Sequence, residues 1–138
     1  MAAKKEILGL LNHALEDELA AIFQYMWHHF HGQGIESPAI RELFKKAAMD
    51  EMEHAEELAE RITLLGGQPT HRPGPIKFGG DLCKMVRDDL ASEEEAVEFY
   101  RKAARACGDY DPTTRRLFEE ILADEERHAD TWRTVLAK

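Results

Sequence analysis

Two short stretches hold the residues on which metal or proton chemistry could rest: Asp50-Glu51-Met52-Glu53-His54 and Asp124-Glu125-Glu126-Arg127-His128. In each, a glutamate precedes a histidine by three positions, which on an α-helix stacks carboxylate and imidazole on one face. A single Glu-x-x-His says little in an acidic chain with seven histidines, since about one such pair arises by chance. The surroundings of these two, however, repeat. Glu18 stands 33 residues before Glu51 and Glu93 stands 32 before Glu125, while Pro38 and Pro112 each lie 13 before the corresponding glutamate. The chain reads as one helical hairpin written twice, each copy carrying Glu…Glu-x-x-His.

Four helices must position these groups, and the periodicity predicts them over about 4–31, 38–65, 81–107 and 112–137, with residues 66–80 as a crossover. Ile7, Leu11, Ala14, Ile22 and Tyr25 form the apolar stripe of the first, and Glu18 falls on it. In the second, Glu51 and His54 share the face of Ile40, Leu43, Phe44, Ala47, Leu58, Ile62 and Leu65. Glu93 lies in the third helix's stripe of Leu82, Val86, Ala96, Val97, Tyr100 and Ala103, from which Glu94 and Glu95 drift away. Glu125 and His128 interrupt the fourth, formed by Leu117, Phe118, Ile121, Leu122, Trp132 and Val135. Gly32 and Gly34 stop the first helix, Ser37-Pro38 reads as an N-cap with a first-turn proline, and Asp111-Pro112 restarts the chain after Gly108.

The crossover contains Pro69, Pro73 and Pro75 and is predicted to be extended. About fourteen extended residues reach about 46 Å, against about 42 Å for a helix of about 28. It can therefore span the bundle and restart the chain at the other end. The expected architecture is all-α: a four-helix bundle of two helical hairpins joined by a long crossover, one domain over 1–138. Counted from the tight turns, Glu18 and Glu51 share a level, as do Glu93 and Glu125. Four carboxylates and two imidazoles thus meet at mid-height.

Burying four unpartnered carboxylates is prohibitive. Two divalent cations remove the difficulty, because four carboxylates and two neutral imidazoles balance two M²⁺ ions. Mixed carboxylate and imidazole donors suit iron or manganese. Asp50 precedes His54 by four and Asp124 precedes His128 by four, so each is placed to accept its own histidine's free N–H. Tyr25, seven residues after Glu18, reads either as a donor to a ligand carboxylate or as a core tyrosine.

Composition sets outer bounds. The 27 acidic and 18 basic side chains give a net charge of −9, which disfavours nonspecific nucleic-acid binding. No apolar run is long enough for a membrane span and none makes a signal-peptide core, so a cytoplasmic protein is expected. Cys83 and Cys107 fall on one predicted helix, beyond disulfide reach, and read as packing residues. His28, His29 and His31, near a helix C-terminus, read as dipole partners rather than an extra metal site.

The residues resemble bacterioferritin. The match runs through Leu11-Asn12, Glu18 to Tyr25, Asp50 to Ala55, Glu60-Arg61-Ile62, Asp88-Asp89-Leu90 and Asp124 to His128. The resemblance implies a ferritin-like ferroxidase that binds two Fe(II), oxidises them with O₂ or H₂O₂ and stores ferric mineral in a shell. It implies Glu18 with His54 on one iron, Glu93 with His128 on the other, and Glu51 and Glu125 bridging. It also implies haem ligated by Met52, one from each subunit across a two-fold axis. Met52 points off the core, beside Ala48, Met49, Ala55 and Ala59, and the first helix shows Phe23, Met26, Trp27 and Phe30 next to its core face. Such surplus apolar surface calls for a partner, by default a symmetric dimer.

Three departures qualify the resemblance. The chain stops after the fourth helix, so the family's short fifth helix is missing and the expected shell ranges from a 24-mer to a dodecamer or a bare dimer. Position 46 is Lys where some members carry an inner-surface iron-binding histidine. The loop between the third and fourth helices is shorter by about one residue. Two other readings share the bundle: a rubrerythrin-like di-iron peroxidase or oxygenase, and a non-enzymatic haem-binding dimer. The absence of a Cys-x-x-Cys module counts against a complete rubrerythrin.

Overall fold

The computed structural model describes residues 2–137, so Met1 and Lys138, the ends of the expected domain, lie outside the described residues. Four helices run in order, α1 (Ala2–His31), α2 (Ser37–Leu64), α3 (Leu82–Cys107) and α4 (Pro112–Leu136). There is no strand among the described residues, and no helix is long and apolar enough to cross a membrane.

Helix ends follow local chemistry. Asp81 caps α3 by accepting from the Lys84 amide at 2.8 Å, and Asp111 caps α4 by accepting from the Thr114 amide at 3.0 Å. The predicted Ser37 cap is corrected. Ser37 lies inside α2 behind Glu36, and its hydroxyl donates backwards to the Gly34 carbonyl at 2.7 Å. The cause is Gly34, whose φ of +118° folds the chain so that this carbonyl sits under both the Ser37 hydroxyl and its amide.

The crossover is bound along α1 in ascending order. Asn12 donates to the Gln68 carbonyl and accepts from the Thr70 amide, Glu16 O accepts from the Gly74 amide, and Gln24 Oε1 accepts from the Lys77 amide. Two side-chain amides thereby supply what a neighbouring strand would. The segment travels from the α2 C-terminus back to the α2 N-terminal end, where α3 begins. Helix α3 consequently runs antiparallel to α1, and α4 antiparallel to α2.

The core is two apolar clusters with a polar layer between them. One holds Ile7, Leu11, Leu58, Ile62, Phe118 and Ile121, the other Ile40, Phe44, Val86 and Trp132. On every helix the predicted ligand positions fall between the residues of these two clusters. Cys107 is buried as expected, but Cys83 is exposed beside Arg87 and packs nothing. Its position in the first turn of α3 precedes the buried stretch that starts at Met85.

Candidate metal centre

Each hairpin delivers its half of the polar layer as the repeat predicts. Glu18, Glu51, Glu93 and Glu125 are all 1–2 % exposed, whereas Glu94 and Glu95, which drift from the stripe, are exposed. The groups form two overlapping donor sets, Glu18–Glu51–His54–Glu125 and Glu51–Glu93–Glu125–His128, whose ligand atoms lie within 4.8 Å of one another in each set. Glu51 and Glu125 belong to both. His54 Nδ1 lies 3.1 Å from Glu51 and 3.3 Å from Glu18. His128 Nδ1 lies 2.9 Å from Glu93 and 3.0 Å from Glu125.

The supporting groups cross between hairpins, which corrects the expectation for Asp50 and Asp124. His54 Nε2 bonds Asp124 at 2.7 Å, and His128 Nε2 bonds Asp50 at 3.0 Å. Within one helix the acid four residues earlier is near the imidazole's root, but the ring reaches across the bundle. Its outer nitrogen therefore meets the facing helix. The tyrosines cross as well. Tyr25 donates to Glu93 at 2.5 Å and Tyr100 donates to Glu18 at 2.7 Å. By periodicity Tyr100 reads only as a member of the apolar stripe, although it follows Glu93 by the same seven residues that separate Tyr25 from Glu18. Trp132 Nε1 donates in turn to the Tyr25 hydroxyl at 2.8 Å.

His28 also departs from its expected role. It is fully buried and pairs with Asp89 at 2.7 Å, and Gln24 donates to the other oxygen of Asp89. Burial raises the Asp89 carboxyl to about 6 although His28 and Gln24 oppose this. His29 and His31 donate to the carbonyls of Arg41 and Trp27. The three imidazoles point apart and share no site.

Electrostatically the layer is frustrated. Burial, then the neighbouring carboxylates, pushes Glu51 well above the usual range and Glu125 up to about 8. Burial lowers the His128 pKa, but the adjacent Glu125 and Glu93 carboxylates overcome this and raise it to about 11. Burial keeps Tyr25 and Tyr100 as neutral donors, and the nearby carboxylates add to the effect. Even so, Glu18 Oε1, Glu51 Oε1, His54 Nδ1 and Glu125 Oε1 are buried without a hydrogen-bond partner. Asp124 takes the Nε2 proton of His54, which turns Nδ1 toward carboxylate oxygens; burial lowers the His54 pKa, but Glu18 and then Glu125 raise it overall. A divalent cation gives each of these orphaned atoms a partner, so the donor set fits two such ions. Asp124→Asn is expected to lower affinity for Co(II) about 10- to 100-fold, read by titrating the visible cobalt bands, with the His54 position affected most.

Comparison with known proteins agrees with this geometry. The family model for the ferritin-like domain matches residues 8–138. The bacterioferritin of Mycolicibacterium paratuberculosis is 38% identical over 138 residues, covering 99% of this chain and 87% of that protein. A ferritin-like, diiron-carboxylate protein from Bacillus anthracis superposes with a TM-score of 0.95 at 29% identity, covering 99% of both chains. A Rhodobacter capsulatus bacterioferritin, determined with a metal-free dinuclear site and its haem iron in a crystallographic special position, superposes at 0.87 with 29% identity, covering 96% of this chain and 84% of that one.

Proposed function

The chain belongs to the bacterioferritin family of ferritin-like proteins, and on that premise we propose that it is a ferroxidase that oxidises Fe(II) to Fe(III) and stores the product. The observation that carries this reading is the pair of donor sets sharing Glu51 and Glu125. Two substrate ions held by common carboxylates sit close enough to give up electrons to one oxidant molecule, O₂ or H₂O₂.

The chain's own residues do the positioning. Glu18 and His54 hold one Fe(II), Glu93 and His128 the other, and Glu51 and Glu125 bridge. Asp124 and Asp50 fix the imidazole tautomers so that Nδ1 faces the substrate. Tyr100 and Tyr25 each occupy one oxygen of a terminal carboxylate and aim the remainder inward. The apolar clusters on either side exclude bulk water.

Storage calls for assembly, and the apolar surface supports a two-fold dimer through α1 and α2. Met52 is 57 % exposed beside Met49, with Phe23, Met26, Trp27 and Phe30 also exposed. An outward thioether on an apolar patch would suit a haem iron, and Met52 would hold it together with its counterpart across the dimer. Such dimers would build a cytoplasmic shell of twelve or twenty-four copies, each chain one ferritin-like domain.

Stopped-flow mixing of metal-free protein with Fe(II) in air tests the reading through near-ultraviolet ferric absorbance. A fast phase saturating at about two irons per chain, followed by slow growth with excess iron, is expected. Absence of the fast phase overturns it.

A further inference from the structure

A hydrated cation needs a path to four buried carboxylates, and the two faces of the bundle are not equivalent. A cavity of about 350 Å³ opens between α1, α3 and the crossover. Its floor is Glu18, Glu51, Glu93 and Glu125, and its rim includes His13, Asp17, Glu95 and Lys77. Glu18, Glu51 and Glu125 line this cavity with one oxygen each left without a hydrogen-bond partner.

Over the two histidines the α2/α4 face carries charge of the opposite kind. The outer nitrogens of His54 and His128 are taken by Asp124 and Asp50, and those acids are engaged by Arg127 and by Lys46 at 3.5 Å. A dication approaching directly over the two imidazoles meets Arg127 and Lys46 before it meets Asp124 and Asp50.

At the rim the chemistry favours capture. His13 Nε2 lies 3.3 Å from Asp17 one helical turn on, and the imidazole rests against Phe99 with ring centres 4.9 Å apart. Glu95 faces the cleft from α3, held only by Lys77 at 3.8 Å with both side chains largely exposed. An exposed pair at that distance is worth little, so a doubly charged ion displaces the ammonium. The backbone does not have to follow, because Gln24 pins the Lys77 amide at 2.8 Å.

We propose that Fe(II) reaches the metal centre through this cleft and is first captured at its mouth by Asp17 and Glu95, with His13 as third donor and Lys77 as the displaced counter-charge. The proposal rests on the ferroxidase reading of the centre and adds the route by which its substrate arrives.

Stopped-flow binding of Co(II) to the metal-free full chain tests it without any oxidation step. In Asp17→Asn/Glu95→Gln the uptake rate at low ionic strength is expected to fall about tenfold, while final stoichiometry and visible spectrum match the wild type. Added salt shrinks the difference, and Lys77→Gln speeds uptake. Glu119→Gln/Glu120→Gln, with the same charge change on α4, keeps the wild-type rate. Equal rates in wild type and the rim variant, or equal slowing in the α4 control, overturn the route while leaving the centre intact. A wild type that binds no Co(II) overturns the centre and the route together.

Discussion

Glu125→Gln is expected to remove fast Fe(II) oxidation, by more than about 100-fold, while making the metal-free protein more stable. Glu125 serves both donor sets, so its loss is felt by both substrate ions and exceeds the 10- to 100-fold effect typical of an outer-layer partner. The stability change has the opposite sign because burial and the neighbouring acids already work against the carboxylate, whose pKa is about 8. An isosteric amide fills the same space without the charge and can donate to Glu51. Urea unfolding of both metal-free proteins at pH 8, beside stopped-flow oxidation, measures the pair. A variant less stable than the wild type contradicts the frustrated layer described above.

The metal-free protein is also expected to lose stability steadily as pH rises from about 5 to about 9, and metal to reverse the trend. Glu125 titrates near 4.5 when unfolded and about 8 when folded. Its proton is thus held more tightly by the native state, a contribution present at low pH and lost as pH climbs through 8. Asp89, raised to about 6, acts in the same direction over a lower window. His128, raised to about 11, contributes fully below 6.5 and progressively less above it. All three leave the folded chain with more bound protons than the unfolded one, so stability falls with pH. Metal binding near neutrality must then expel protons. Melting temperatures across the pH range, with and without Co(II), and proton release in weakly buffered titrations give the two readouts. A melting temperature that rises with pH in the metal-free protein would sink this account.

The parts of the molecule legible in the sequence are those governed by distance along the chain. The ligand glutamates lie in phase with apolar stripes and at matched distances from turns, and phase alone separates Glu93 from Glu94 and Glu95. Partners across the bundle obey a different rule. Whether Asp50 faces His54 or His128 depends on how α2 is rotated against α4, which no local period encodes. Part of the crossed pattern does leave a trace along the chain. His28 lies three residues beyond Tyr25 and Asp89 four before Glu93, so both sit on core faces where a buried polar group requires a partner. Tyr100 repeats the offset of Tyr25.

The crossing of supporting groups between hairpins bears on slippage. Apolar stripes tolerate a shift of one helical turn, since one leucine replaces another against the facing groove. Here such a shift of one hairpin against the other would strip Asp124 from His54, Asp50 from His128, Tyr25 from Glu93 and Tyr100 from Glu18 at once. Four polar contacts fail together, and no neighbouring alignment restores them. The centre therefore selects the vernier setting of the bundle as well as its cargo, and an interior that is poor in apolar adhesion at mid-height is rich in information about which alignment is correct.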